Sequence, residues 1–261
     1  MQKVYNVNII AHRGANQTAP QNTIPAFENA LAMGTDGFET DVHLSKDGVP
    51  VICHNYTIDE TSNGSGEIEN MTLEELRKYD FGSYFDPKFE GTTLPTLDEF
   101  LDLAVGKGLK VLNIELKPEK DDARRETLVK KTLEAVEARG LSDILLISSF
   151  SKEILEYIKQ IDPGCKTAFL YPAGYTQAHL AVMPPYDAME KMQCHAAHPH
   201  KLCIRGNFVK KAHEKGLQIN VWTVNESEDI RNMIEAGVDG IITDCPDRVR
   251  SILNEMNGFH E

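Results

Sequence analysis

The stretch Gly34-Thr35-Asp36-Gly37-Phe38-Glu39-Thr40-Asp41 has an echo near the end of the chain, Gly237-Val238-Asp239-Gly240-Ile241-Ile242-Thr243-Asp244. In each, a glycine ends a helical pattern and a turn feeds an apolar strand. A repeated unit is one reading of the echo; a chance match between two glycine turns is the other. The sequences around the two copies decide what such a unit builds. Strand candidates are Val7–His12, Phe38–Leu44, Val111–Leu116, Ile144–Ser148, Thr167–Leu170, Cys194–Ala197, Ile219–Val224 and Gly240–Thr243. Between several of them lie amphipathic segments such as Arg125–Ala138, Lys152–Ile161 and Phe208–Lys215. Apolar strands alternating with helices predict a parallel sheet covered on both faces. About eight such units in 261 residues predict an α/β fold of the (β/α)8 TIM-barrel type, one catalytic domain over residues 1–261.

Two segments depart from the alternation. Ser45-Lys46-Asp47-Gly48 is a hairpin signal, so Val49-Pro50-Val51-Ile52-Cys53-His54 is expected to double back antiparallel on the second strand. The most economical register places His54 beside Asp41 or Val42. Residues 55–95 are too long for an ordinary βα loop and are expected to form a small insertion at the barrel mouth. Within it, Leu73–Tyr79 reads as a helix capped by Thr72 and Glu75. The second irregular stretch, Tyr171–Gln193, reads as a lid or a plain loop.

The net charge of −13 argues against nucleic acid and against stable association with an anionic membrane. The five cysteines are scattered and form no CxxC pair, which favours free thiols in a reducing compartment. The first residues lack the apolar core of a signal peptide, so a cytoplasmic location is expected.

The chemistry is expected at the carboxyl ends of the strands. Glu39 and Asp41 are two apart on one strand and share a face, as do Glu115 and Lys117 on another. Burying several carboxylates together is costly unless a cation neutralises them. An oxygen-only donor set favours Mg²⁺, Ca²⁺ or Mn²⁺ over a thiolate zinc site; acids paired with nearby basic groups are the other reading. His12-Arg13-Gly14 ends the first strand and offers an acid–base group beside a guanidinium suited to phosphate. His54 ends the returning hairpin strand. Trp222 and Phe150 either wall the site or fill the barrel. Asp244 sits at a strand end, where a helix cap before Pro246 explains it at least as well. His195, His198 and His200 read as a strand end and turn, with Pro199 interrupting regular presentation.

An ordered series of motifs then resembles the glycerophosphodiester phosphodiesterase family. It runs from Ala11-His12-Arg13-Gly14 and Pro20-Gln21-Asn22-Thr23 through Gly37-Phe38-Glu39-Thr40-Asp41-Val42 to Val51-Ile52-Cys53-His54 and Thr61-Ser62-Asn63-Gly64. Leu94-Pro95-Thr96-Leu97-Asp98-Glu99, Glu115-Leu116-Lys117, Ser149-Phe150, Trp222-Thr223-Val224-Asn225 and Gly237-Val238-Asp239-Gly240 complete it. The resemblance implies hydrolysis of a small glycerophosphodiester, such as glycerophosphocholine or glycerophosphoethanolamine, to sn-glycerol 3-phosphate and an alcohol. It implies that Glu39, Asp41 and Glu115 hold one divalent cation, Mg²⁺ ahead of Ca²⁺ or Mn²⁺. By the same resemblance His12 and His54 are the catalytic acid–base pair, and Arg13 and Lys117 bind phosphate or glycerol oxygens. His12 is the preferred base; water and the glycerol 2-hydroxyl both stay open as first nucleophile. Gln21 and Asn55 depart from the family, which usually has glutamate and aspartate there, so neither position supplies an essential charge. The competing functions are a related phosphodiesterase acting on lysophospholipids and a catalytically silent barrel that binds phosphorylated ligands.

Overall fold

In the computed structural model, which describes residues 4–172 and 185–259, eight parallel strands close into a ring. They are β1 (Asn8–His12), β2 (Gly37–Leu44), β4 (Val111–Leu116), β5 (Leu145–Ser149), β6 (Thr167–Tyr171), β7 (Ala196–Pro199), β8 (Gln218–Val221) and β9 (Gly240–Thr243). The order around the ring is β1-β9-β8-β7-β6-β5-β4-β2, and pairing of β1 with β2 closes it. The short β3 (Pro50–Ile52) lies outside the ring, antiparallel to the end of β2. Helices α1 (Ile24–Ala32), α3 (Leu97–Ala104), α4 (Asp122–Glu137), α5 (Lys152–Ile161), α6 (Pro185–Lys191), α7 (Phe208–Glu214), α8 (Ser227–Ala236) and α9 (Pro246–Asn257) alternate with the ring strands. This is the (β/α)8 barrel expected from the alternation.

The two echoing stretches do the same physical job. The Asp36 amide donates to the Ile9 carbonyl at 2.8 Å, and the Asp36 carboxylate accepts from the Ile9 amide at 3.1 Å. Asp239 repeats both bonds on Ile219, at 2.9 Å and 2.7 Å. Each aspartate thus clips an incoming strand to the strand before it in sequence. The following glycine lets the neighbour approach. A Cβ on Gly37 would stand 2.3 Å from the Val111 carbonyl oxygen, and one on Gly240 would stand 2.4 Å from Asn220 Oδ1. The echo is a structural repeat, not chance.

Strand alternation divides the buried residues in two. Ala11, Phe38, Val42, Leu112, Ile114 and Leu116 pack outward in one continuous cluster with Phe27 of α1 and Phe100 of α3. A second cluster does the same for Ile219, Val221 and Ile241 on the other half. The intervening positions carry the polar groups. Register sets His12 level with Glu39, Glu39 with Asn113, and Asp41 with Glu115.

The segment between β3 and α3 has a small core of its own, in which Ile58, Ile68, Leu76, Phe81 and Leu94 pack on Val51 and Cys53. The Thr72–Glu75 capping box forms as expected, but α2 (Leu73–Leu76) is a single turn rather than a helix to Tyr79. Tyr79 instead turns inward and its ring fills the place a side chain on Gly64 would take. Thr96 and Glu99 form a second capping box on α3, and the Pro95 carbonyl accepts from Ile52. The Leu94–Glu99 motif therefore returns the insertion to the barrel.

Three sequence boundaries move. β7 begins and ends two residues later than expected. Pro199 stays in it because only its carbonyl is used, accepting from the Trp222 amide at 3.2 Å. β8 ends at Val221, so Trp222 stands just beyond the strand. The register of β3 pairs Ile52 with Val42, and the Cys53 amide donates to the Asp41 carbonyl, so His54 lies past the position beside Asp41. In the Tyr171–Gln193 stretch, α6 occupies the end, and residues 173–184 lie outside the described residues. All five cysteines are buried, and none is in a disulfide among the described residues.

Candidate active site

The turn after β1 is shaped by two residues in the left-handed region, Arg13 (φ 56°) and Asn22 (φ 57°). Non-glycine residues hold this conformation when surrounding bonds over-determine it. Here the Arg13 amide donates to the Glu39 carbonyl, and the Asn22 amide to the Arg13 carbonyl, both at 2.9 Å. Gly14 follows with φ 82°, and a Cβ there would stand 2.6 Å from the Ala26 backbone. The turn carries the Arg13 guanidinium over the end of β2. Its Nε lies 3.2 Å from Asp41 Oδ2, and Nη1 donates to Gln21 Oε1 at 2.7 Å. Gln21 thus serves as a neutral acceptor where the family usually has a carboxylate.

Glu39, Asp41 and Glu115 are buried, and each offers one oxygen such that the three lie within 4.8 Å of one another. Lys117 reaches back between two of them, 2.7 Å from Asp41 Oδ1 and 2.6 Å from Glu115 Oε1. Asn22 donates to Asp41 Oδ2 at 2.8 Å and is itself held by the Thr40 hydroxyl. Electrostatics separate the three acids. Burial raises Asp41, but Lys117 and Arg13 outweigh it and hold its carboxyl well below the usual range. Burial, then the charges of Asp41 and Glu115, push Glu39 well up. Burial likewise pushes Glu115 up to about 7, with Lys117 opposing. If all three carboxylates ionise, they exceed Lys117 and Arg13 by one negative charge. A cluster whose acids resist ionisation until more positive charge arrives fits a hard divalent cation.

The two histidines are oriented by unlike partners. His12 Nδ1 donates to Asp244 Oδ1 at 2.6 Å, and its Nε2 lies 3.9 Å from Glu39 Oε2. His54 Nδ1 donates to Asn55 Oδ1 at 2.6 Å, and Asn55 Nδ2 donates on to Glu60 Oε2 at 2.7 Å. Both rings therefore turn Nε2 free of those partners. Burial lowers His12, with the Asp244 bond opposing. Burial lowers His54 to about 4, Asp41 opposing and Lys117 adding. His43 Nε2 reaches the His54 carbonyl at 3.2 Å and fixes the main chain there.

His12, Arg13, Glu39, His54, Asn113, Glu115, Phe150 and Trp222 line one cavity of ≈190 Å³. Trp222 donates from Nε1 to the His198 carbonyl at 2.7 Å, and its ring meets Phe150 edge-on at 5.9 Å. These two aromatics wall the cavity rather than fill the barrel.

Sequence reasoning passed over several residues. Asp244 is no helix cap: it holds His12 and takes further bonds from Asn16 (2.7 Å) and Asn225 (2.5 Å). Its strand-end position was the available signal. Asn22 and Asn225 stand inside the family-like motifs, where they hold Asp41 and Asp244. Asn113 lines the cavity, and its amide makes no hydrogen bond to another described residue; the period-two spacing with Glu115 would have flagged it. His198 is fully buried, its Nε2 3.0 Å from Asn220, and burial lowers it to about 3.

A sequence model of the glycerophosphoryl diester phosphodiesterase family matches residues 12–248. The chain belongs to this family. It is 36% identical over 247 residues to the glycerophosphodiester phosphodiesterase of Caldanaerobacter subterraneus subsp. tengcongensis, covering 95% of this chain and 98% of that one. The enzyme of the same name from Bacillus altitudinis is 34% identical, with 95% and 98% covered. Among solved structures, an Oleispira antarctica phosphodiesterase in complex with the product sn-glycerol-3-phosphate superposes with a TM-score of 0.85 at 28% identity, covering 95% of this chain and 96% of that one. The glycerophosphodiester phosphodiesterase of Agrobacterium tumefaciens gives 0.80 at 28% identity, covering 94% and 99%. Glycerophosphodiester phosphodiesterase is thus the enzyme class of this barrel, as the ordered motifs implied. Among the described residues no helix is long and apolar enough to cross a membrane.

Proposed function

We propose that this phosphodiesterase hydrolyses small glycerophosphodiesters to sn-glycerol 3-phosphate and an alcohol, with Glu39, Asp41 and Glu115 holding one divalent cation, Mg²⁺ first. The observation that carries this is the meeting of three buried carboxylates within 4.8 Å with two oriented imidazoles in the same small cavity. With the three acids ionised by its arrival, a divalent ion together with Arg13 and Lys117 leaves one excess positive charge, which suits a monoanionic phosphodiester. When bound, it supplies Lewis-acid stabilisation of charge on the phosphoryl oxygens.

The chain's own residues supply the rest. Arg13 approaches the phosphate from the turn above β2, its guanidinium preset by Gln21 and Asp41. Lys117 stays charged: burial lowers its pKa, but Asp41 and then Glu115 outweigh burial and raise it above the ordinary lysine value, so it adds positive field beside them. His12 enters neutral with Nε2 unprotonated and takes the proton of the attacking oxygen, water or the glycerol 2-hydroxyl. Asp244 stabilises the imidazolium that results. His54 has a neutral amide at Nδ1, so its imidazolium is the less stabilised of the two and gives its proton up more readily. That suits protonation of the leaving alcohol, with His54 taking its proton from solvent as the phosphodiester's charge arrives. Phe150 and Trp222 wall the glycerol, and Asn113 offers it an amide from the cavity floor.

The test is release of the headgroup alcohol, choline or ethanolamine, from glycerophosphocholine, glycerophosphoethanolamine and the corresponding lysophospholipids, assayed side by side with divalent cation present; the other product is sn-glycerol 3-phosphate from the first two and its acylated form from the lysophospholipids. The reading expects turnover of the first two. Turnover of the lysophospholipids alone would favour the related phosphodiesterase acting on lysophospholipids, and silence on every diester would leave a ligand-binding barrel.

A further inference from the structure

A second, wider cavity of ≈490 Å³ opens beside the first, and the two share His54, Glu115 and Phe150 in their walls. The smaller one closes against Leu170, Trp222 and Ile242, while the wider one runs out past Tyr56 and Glu60. A diester whose phosphorus sits by the shared residues must place its two alcohols on opposite sides. The glycerol fits the closed side. The leaving alcohol then lies in the open one, next to the histidine that protonates it.

Two features give that side a chemical preference. Tyr56 is 53% exposed and Phe150 40% exposed, yet both rings are held in place. The Tyr56 hydroxyl donates to the Pro118 carbonyl at 3.2 Å, and its ring meets His43 edge-on at 4.9 Å. Phe150 is braced by Trp222. Preset aromatic faces cost a ligand little ordering. The second feature is charge. Nearby Glu67 and Glu69 pair with Lys120, and Glu119 pairs with Arg124. Of the two carboxylates in the wider cavity's wall, Glu115 is paired with Lys117. Glu60 has no cationic partner among the described residues; its one bond is from the Asn55 amide. A braced aromatic pair beside an unneutralised carboxylate is suited to an ammonium group.

We propose that this outer cavity is a leaving-group subsite that selects cationic alcohols, quaternary ammonium above neutral polyols. This deepens the proposed function and rests on it. The neutral head of glycerophosphoglycerol gains neither charge pairing with Glu60 nor cation–π attraction from the aromatic faces. Selection arises from binding that is present before the chemical step, so it acts mainly on KM.

The experiment compares kcat/KM for glycerophosphocholine and glycerophosphoglycerol in the full-length protein and in Glu60→Gln and Tyr56→Ala. Glu60→Gln keeps an acceptor for Asn55 and removes only the charge. The expected ratio in the unmodified protein favours the choline diester by roughly tenfold, a cation–π contribution of ordinary size. Each substitution is expected to bring the ratio down by roughly threefold or more, through KM. Tetramethylammonium should also inhibit the unmodified protein competitively, and Glu60→Gln more weakly. A ratio near one in the unmodified protein, or one that survives both substitutions, overturns the subsite while leaving the hydrolase reading intact. Failure to hydrolyse either diester overturns the hydrolase reading and the subsite with it.

Discussion

His12 donates to a carboxylate and His54 to an amide, and that difference makes specific demands on mutants. Asp244→Asn keeps a hydrogen-bonding group but removes the charge that stabilises a protonated His12. It is expected to lower kcat on the order of 10²-fold, and His12→Ala or His54→Ala by ~10²–10⁴-fold. Near-normal steady-state turnover in both alanine variants would remove the histidines from the chemistry. The acids make a second prediction. Glu39 and Glu115 are both raised by burial, Glu115 to about 7. A cation binds their deprotonated forms, so binding below that pH must displace protons. Calorimetric Kd for Mg²⁺ is expected to rise between pH 8 and pH 6, by up to about tenfold per pH unit for each proton displaced. A Kd that stays flat over that interval would contradict the assignment of the raised carboxyls as ligands.

Among the elements, the clip between Asp36 and β1 is a stability device rather than a catalytic one. Burial raises the Asp36 pKa, but Lys110, the Ile9 amide and Arg250 together bring it below its ordinary value. A carboxyl lowered on folding adds stability that is complete above the unfolded pKa and fades as pH falls through the folded one. Asp36→Ala should therefore cost about 1–3 kcal/mol near pH 7, the worth of hydrogen bonds to a charged acceptor. The gap to the unmodified protein should narrow in urea melts as the pH drops below the carboxylate range. A gap independent of pH would show that the charge is idle. The element scale is also where sequence was most legible. Val111–Leu116, Gly240–Thr243 and the Thr72 cap emerged at or near their true bounds because apolar runs and capping residues act locally. α2 stopped early because Tyr79 found a partner in the insertion, and Pro199 remained in β7 because the Trp222 amide needed its carbonyl. Neither partner is visible in a local window.

Across the whole molecule, the barrel converts distant sequence into one site. His12 and Asp244 are 232 residues apart and meet because β1 and β9 are neighbours in the closed ring. Glu39, Asp41 and Glu115 were legible as candidates because acids inside apolar strands need a reason. Asp244 was not, since a strand-end aspartate before a proline reads equally well as a cap until ring closure brings β9 beside β1. Glu60 was invisible for a similar reason: its place beside His54 depends on the path of the insertion. The overall charge of −13 opposes an anionic substrate, so local positive charge must invert the field at the mouth. Arg13 and Lys117 do not suffice against three carboxylates.

That deficit makes cation dependence the point on which everything turns. The decisive measurement is glycerophosphocholine hydrolysis by chelated protein during titration with Mg²⁺. Activity is expected to vanish on chelation and to return along a saturable curve that reaches its plateau with one ion bound per chain. Turnover that persists at its original rate after complete chelation would contradict it.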